Sequence, residues 1–249
     1  MENMFIRTVW GDISKNGIRN GKMASDIKRI KDNPYNSPFV VYVFGQDNYN
    51  ELVQQGFQCK LIDKNPLRYD PITQLYRHKL DVFFEALKDY KEIVFLDWDC
   101  RPTKYLPLEF WDIMGKKAPF QANLFLYRTK KCLWRQSDWR KVCNGGFVYI
   151  RDLKIAAQII QNYEDLKKWV LEQKMAREKM GKKLRFREEA LMFDDEPAMS
   201  KWVDDYSKGW PGVEQYWNIF EPNFCNLGKK SAFMNHLLSL KDECFVHWG

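Results

Sequence analysis

The chain has 249 residues, enough for one substantial domain, and 16% of them are aromatic, which indicates a large core with rings to spare for ligands. The net charge of +7 favours a polyanionic partner or substrate, and because a nucleotide diphosphate would suffice, it does not demand nucleic acid. The six cysteines form no CxxC pair, and the sequence shows no secretory signal and no apolar run near the roughly 20 residues that cross a bilayer. We therefore expect a soluble, cytoplasmic protein with reduced thiols and no transmembrane segment.

The first 62 residues predict alternating strands and helices. Strands are expected at Met4–Trp10, Phe39–Phe44 and Cys59–Ile62, where apolar runs end at turn formers. Helices are expected at Ala24–Ile30 and from about Tyr49 to Gln55. This alternation is typical of an α/β fold whose central sheet is mostly parallel.

An amphipathic helix then precedes the most apolar strand. Its apolar positions recur at helical spacing, and they are Tyr76, Leu80, Phe83, Phe84 and Leu87. Arg77, His78 and Lys79 lie near its start. His78 is at least as well explained as a solvated charge on the helix surface as by a role in binding. For Lys79 we favour a role in binding.

Two carboxylates follow the central strand. Ile93–Leu96 is an unbroken apolar run, typical of a strand buried on both faces, and Asp97 and Asp99 then flank Trp98. Ligands of open α/β sheets bind at the carboxyl ends of the strands, and paired carboxylates can hold a hard divalent cation there. The simpler reading is that Asp97 ends the strand and Asp99 begins a turn.

The next segment carries a glycine pair. We expect a strand at Pro119–Leu126 and mostly loop at Tyr127–Val142. Asn144, Gly145 and Gly146 then precede an apolar strand at Phe147–Ile150. Glycines let a backbone approach a ligand closely, and an asparagine can donate to and accept from sugar hydroxyls. A plain β-turn or bulge is the alternative.

The last hundred residues contain two further charged features. Asp152 is expected to cap a long helix that continues through Val170, followed by the most basic stretch, Lys174–Arg187. That stretch is either a solvated face or a loop that binds an acceptor or polyanion. A cluster of acidic residues precedes the next helix, where capping alone could explain it: Asp194, Asp195 and Glu196.

Aromatic residues and a histidine dominate the end of the chain. The loop at 209–226 could stack a pyranose on Trp210, Tyr216 or Trp217, or it could be a lid over its own core. His247 either packs against Trp248 or binds a ligand.

The segment VFLDWD, with its Asp-x-Asp motif, resembles the metal-dependent glycosyltransferases of the GT-A fold. The order of first strand, helix, DxD strand, Asn-Gly strand, acidic helix start and late histidine extends the resemblance over most of the chain. It implies a single, Rossmann-like α/β domain with a nucleotide-binding half at 1–102 and an acceptor-binding half at 103–249. The nearest similarity is to small bacterial or viral sugar transferases, acting in a bacterial cell or an infected host cell.

The resemblance also implies roles for individual residues. Mn²⁺ or Mg²⁺ would be held by Asp97, Asp99 and His247. The donor, a UDP-sugar by expectation, would contact Thr8, Val9, Trp10, Lys79, Asp97, Asn144, Gly145 and Gly146. Asp195 and Glu196 would serve the acceptor hydroxyl, as general base if the reaction inverts or as positioning groups if it retains.

Two other functions are compatible with the sequence. A nucleotidyltransferase also uses metal-binding carboxylates, but it usually has a Gly-rich basic loop after the first strand, which is missing after Gly11. A non-catalytic module that binds nucleotide sugars or nucleic acid would explain the basic and aromatic content. It would not explain three separated ligand sites. The acceptor itself could be a glycan, a protein, a lipid-linked sugar or a modified base in nucleic acid, contacted through Lys174–Arg187.

Overall fold

The structure is a computed structural model, and it describes residues 2–11, 22–62, 77–116, 119–127, 140–182, 195–207, 225–226 and 245–247. No helix within these residues is long and apolar enough to span a bilayer. Cys59, Cys100 and Cys143 are thiols.

A six-stranded mixed sheet forms the centre of the domain. Its strands are β1 (Asn3–Val9), β2 (Phe39–Phe44), β3 (Cys59–Ile62), β4 (Glu92–Leu96), β6 (Phe120–Tyr127) and β7 (Arg140–Ile150). They lie in the order β3-β2-β1-β4-β7-β6. The first four in this order are parallel, and β7 runs antiparallel to both β4 and β6. The predicted α/β architecture, with its mostly parallel sheet, is confirmed.

Helices cover both faces of this sheet. They are α1 (Lys22–Lys31), α2 (Gln46–Gln54), α3 (Arg77–Asp89), α4 (Phe110–Lys116), α5 (Leu153–Lys179) and α6 (Asp195–Ser207). Successive side chains of β4 point to opposite faces, so Phe95 packs with α3, α5 and α6 whereas Leu96 packs with α4. Every residue of β4 is buried, as the unbroken apolar run predicted.

The predicted boundaries agree closely where local signals are strong. β2 and β3 have the expected bounds, β4 begins one residue earlier than expected, and β1 and β6 are each shifted by one residue at both ends. Asp152 caps α5, accepting a hydrogen bond from the Lys154 amide at 2.8 Å. Helix α4 was not expected.

A second, three-stranded sheet was also unexpected. Strand β5 (Cys100–Pro102) pairs antiparallel with β9 (Phe245–His247), which pairs in turn with β8 (Cys225–Asn226). Arg101 and Pro102, which follow the DxD motif, therefore lie in a short strand. Its pairing brings the end of the chain beside the DxD motif.

The prediction of mostly loop at Tyr127–Val142 is wrong at both ends of this range, where the structure shows strands. Tyr127 still belongs to β6 and pairs with Arg140, where β7 begins. The glycine pair consequently lies within β7 and does not precede it. Ala122 of β6 pairs with Val148, but the next residue, Asn123, pairs with Asn144. The three intervening residues of β7 form a bulge, which a sequence pattern alone cannot separate from a turn.

Candidate active site

A buried lysine joins three elements at the carboxyl end of β4. The Lys79 ammonium on α3 lies 3.1 Å from Oδ1 of Asp97 and 3.1 Å from Oδ2 of Asp195, at the start of α6. It also donates to the carbonyl oxygen of Gly145 in β7 at 3.3 Å. The side chains of Lys79 and Asp195 are only 3% and 2% exposed, whereas that of Asp97 is 31% exposed. Lys79 therefore neutralises one fully buried carboxylate and holds a second one that faces the surface.

The two carboxylates keep this buried lysine charged. Burial disfavours the ammonium form, but the negative charges of Asp195 and Asp97 outweigh burial and raise the Lys79 pKa. The ring of Phe95 lies below the ammonium, 5.0 Å from it. The N–H groups of the Lys79 ammonium are directed to these partners. Lys79 is therefore better suited to positioning Asp97 and Asp195 than to reaching the diphosphate of a sugar donor.

The bulge in β7 makes room for this contact. A Cβ atom at position 145 would lie 2.2 Å from Oδ2 of Asp195 and 3.0 Å from the Lys79 ammonium. Only glycine leaves space for the ion pair. The next residue, Gly146, accepts a hydrogen bond from the Asp97 amide at 2.9 Å. The glycine pair thus fixes the start of the DxD turn and the place of Asp195 at once.

Sequence reasoning missed a second buried cation, Arg7. It lies in the middle of β1, and its guanidinium donates to the carbonyl oxygens of Asp97 and of Cys100, the latter at 2.9 Å. The two bonds span the whole DxD turn. The rings of Phe39 and Trp98 lie 5.3 Å and 5.4 Å from the guanidinium.

Arg7 keeps its positive charge in this buried position. Complete burial lowers its pKa to about 10, and electrostatic interactions with Cys100, Asp97 and Asp99 oppose that shift. Arg7 remains charged at neutral pH, so a fixed positive charge lies beneath the two aspartates. The signal available in the sequence was a single arginine inside an apolar strand, since arginine is almost never fully buried without partners.

Trp98, which lies between the two aspartates of the DxD motif, is hydrogen-bonded to the end of β1. Trp98 donates from Nε1 to the Thr8 carbonyl oxygen at 2.9 Å, and the Thr8 hydroxyl donates to the Tyr42 carbonyl at 3.0 Å. Thr8 and Val9 are buried, so their side chains face the core. Trp10 is half-buried, with its ring 6.3 Å from that of His78. Of the three residues expected to contact the nucleoside, Trp10 is the one whose side chain is accessible.

The small sheet places the late histidine next to the DxD motif. His247 pairs with Cys100, the residue that follows Asp99. Its side chain lies outside what the structure describes, and among the described side chains no three acidic, histidine or cysteine groups come together to hold a metal ion. The backbone register places His247 opposite the residue that follows Asp99, and carboxylate oxygens suit Mn²⁺ and Mg²⁺.

The two residues expected to serve the acceptor differ in environment. Asp195 is buried in the ion pair with Lys79, whereas Glu196 is half-buried and accepts from the Gly145 amide at 3.3 Å. Ser200, in the second turn of α6, ties the helix to β7 once more, because its hydroxyl accepts from the Cys143 amide at 3.0 Å. Glu196 is thus the carboxylate of this pair with access to a ligand.

Several predicted site residues fall outside the described part of the chain. They are Asp194, Lys183, Arg185, Arg187, Trp210, Tyr216, Trp217 and Trp248, together with the side chain of Asn144. In the described part of the basic stretch, α5 ends at Lys179, and both Lys179 and Lys182 are exposed.

Comparison with known proteins identifies the fold. No protein family and no curated protein sequence matches the chain. Among solved structures, mouse xyloside xylosyltransferase 1 in its apo form is similar with a TM-score of 0.54 at 8% identity, over 99% of this chain and 98% of that one. The chain has the GT-A glycosyltransferase fold. The galactosyltransferase LgtC, solved with donor and acceptor sugar analogues, gives a TM-score of 0.50 at 15% identity over 98% of this chain and 87% of its own. The glycosyltransferase GlyE of Streptococcus pneumoniae TIGR4 gives 0.50 at 14% identity, and this chain spans 55% of it.

Proposed function

We propose that this protein transfers a sugar from a nucleotide sugar, with a UDP-sugar as the expected donor, to an acceptor hydroxyl. One observation carries the proposal: in a GT-A fold, Lys79 joins Asp97 of the DxD turn to Asp195 at the start of α6. The contact lies at the carboxyl end of β4, where ligands of open α/β sheets bind. A donor and an acceptor held on either side of this contact would meet there.

The proposal includes a divalent ion, Mn²⁺ or Mg²⁺, held by Asp99 and His247. Such an ion supplies charge neutralisation for the leaving diphosphate. Asp97 has both carboxylate oxygens within 3.3 Å of the Lys79 ammonium, so we assign it to the donor ribose or to a water next to the ion. Arg7 fixes the backbone of this turn and thereby the direction of both aspartates.

Glu196 is the proposed group for the acceptor. A half-buried carboxylate at a helix start can accept a proton from a sugar hydroxyl, whereas the carboxylate of Asp195 is already paired with Lys79. In a reaction that retains configuration the same group would position the acceptor. The basic stretch Lys174–Arg187 is proposed to bind the remainder of an acceptor glycan, protein or nucleic acid.

Calorimetric titration with UDP tests the donor and metal parts. We expect tight binding with Mn²⁺, much weaker binding with EDTA, and loss of the metal effect in Asp99→Ala. Asp205→Ala, an exposed residue on α6, is the matched control and should bind as the wild type does. Equal UDP affinity with Mn²⁺ and with EDTA would refute the metal assignment. Absence of UDP binding under both conditions would refute the assignment of a UDP-sugar as the donor.

A further inference from the structure

A preformed groove lies between the end of α1 and β5, where Arg101 follows Asp99 by two residues. It has a volume of about 510 Å³, within the range of roughly 300–1,000 Å³ that is usual for small-molecule sites. One wall is the last turn of α1 and the loop that follows it. The other is the strand that leaves the DxD turn, with Arg101 and Pro102.

Asn33 ties the two walls together. Its side-chain amide donates to the Pro102 carbonyl oxygen at 2.8 Å, and its side-chain oxygen accepts from the Tyr35 amide at 2.9 Å. The groove therefore exists before any ligand binds. Preorganisation of this kind lowers the entropy lost on binding.

The charge of the groove is positive. Lys28, Arg29 and Arg101 line it, and among the described residues Asp32 is the one acidic lining residue. Arg29 also pairs with the buried Asp26 at 3.4 Å, which offsets part of its charge. Cations in the last turn of a helix complement its dipole, which would be a sufficient reason for Lys28 and Arg29. Arg101 comes from a different element, and the dipole does not explain its convergence on the same space. Two guanidinium groups and an ammonium match a carboxylate or a phosphate.

Aromatic rings stand at the rim. Tyr35 lines the groove, and its ring packs edge-to-face against that of Tyr105 with centroids 5.1 Å apart. Tyr105 is 69% exposed, so its ring is open to a ligand in the groove. Exposed tyrosines beside polar groups are suited to packing against a pyranose ring.

We propose that this groove binds an acidic saccharide, with its carboxylate or phosphate on the three cations and a sugar ring against the tyrosines. The assignment to a saccharide rests on the proposed function. It makes the groove an acceptor subsite next to the DxD turn, since Arg101 follows Asp99 by two residues. The positive charge favours acidic over neutral acceptors.

Calorimetry of the full chain with three probes tests the ligand class: a hyaluronan tetrasaccharide, the neutral maltotetraose and tetrathymidylate. The acidic saccharide should bind saturably and maltotetraose at least about tenfold more weakly, as expected for loss of hydrogen bonds to charged groups. Absence of hyaluronan binding, equal binding of maltotetraose, or preferential binding of tetrathymidylate would overturn the proposal.

Variants locate the site. Lys28→Gln/Arg29→Gln should weaken hyaluronan binding about tenfold, while Lys154→Gln/Lys168→Gln, two exposed lysines of α5 with the same total charge change, should not. Arg101→Gln should weaken it and Arg101→Lys should partly restore it. Equal losses in both double variants would show a general charge effect and refute the groove. UDP binding should be unchanged in all of them, so failure of the groove is distinguishable from failure of the proposed function, in which wild type itself binds no UDP.

Discussion

Replacing Lys79 by Met should destabilise the protein far more than removal of an ordinary surface charge. The substitution keeps an unbranched chain of similar length but removes the ammonium that contacts Asp97 and Asp195. The Asp195 carboxylate, 2% exposed, is then left in the interior without its cation. Breaking a buried pair by removing one partner costs about 3–5 kcal/mol.

Asp97 adds little to this sum. Its side chain is 31% exposed, so water screens the charge that remains after the substitution. We therefore expect the whole loss to be about 3–5 kcal/mol, which for a chain of this size lowers the Tm by roughly 6–20 °C. The raised Lys79 pKa means that the stabilisation is complete below the ordinary lysine pKa and is lost only as the pH rises through the folded value. Measurement at pH 7.5 thus captures all of it.

Urea unfolding followed by circular dichroism measures the free energy. Lys88→Met is the matched control, because Lys88 lies on the same helix and pairs with Glu85 at the surface, where ion pairs contribute about 0–1 kcal/mol. The double variant Lys79→Met/Asp195→Leu should recover most of the stability, since neither charge of this buried pair remains. A loss in Lys79→Met no larger than in Lys88→Met would refute the buried ion pair.

Three further substitutions test the site. Arg7→Met should weaken UDP binding in Mn²⁺ about tenfold, because the DxD turn loses two charged hydrogen bonds. Arg7→Lys should keep more of the affinity. Equal UDP affinities of the wild type and Arg7→Met, measured by calorimetry, would contradict this role of Arg7. Gly145→Ala should cost about 1–3 kcal/mol and lower kcat, because its Cβ would lie 2.2 Å from Asp195. Gly115→Ala, whose Cβ has its nearest contact at 3.4 Å in a helix, should be neutral or stabilising in the same melting assay. Glu196→Gln should lower kcat by about 10²–10⁴ with Tm and UDP affinity unchanged if Glu196 is a base, whereas full activity would make it structural.

Local patterns predicted the elements whose reasons are local. β2 and β3 are short apolar runs that end at turn formers, and α3 repeats its apolar positions every three or four residues. Asp152 was recognised as a cap because a cap needs only the residues next to it. At these positions sequence and structure agree to within a residue or two.

The features that the sequence left open or did not show depend on distant pairing. The bulge at Gly145 exists because β6 and β7 change register, and neither strand shows this by itself. Strand β5 is defined by β9, near the other end of the chain. For Lys79 the sequence shows a cation near a helix start but not which groups face it. Only the assembled sheet reveals that two carboxylates do.

The buried ion pair also bears on whether the protein is an enzyme or a binding module. Replacing a buried pair by apolar residues of similar volume is often neutral or stabilising, so stability is a weak reason for a lysine and an aspartate to occupy the interior. Their position, between the DxD turn and the start of α6, suggests that they hold Asp97 and Glu196 in fixed relation. A module that only binds a nucleotide sugar has no need of that relation. The Lys79→Met/Asp195→Leu variant separates the two: an enzyme should lose transfer and donor hydrolysis while it stays folded, whereas a binding module should keep its donor affinity and show no turnover before or after the change.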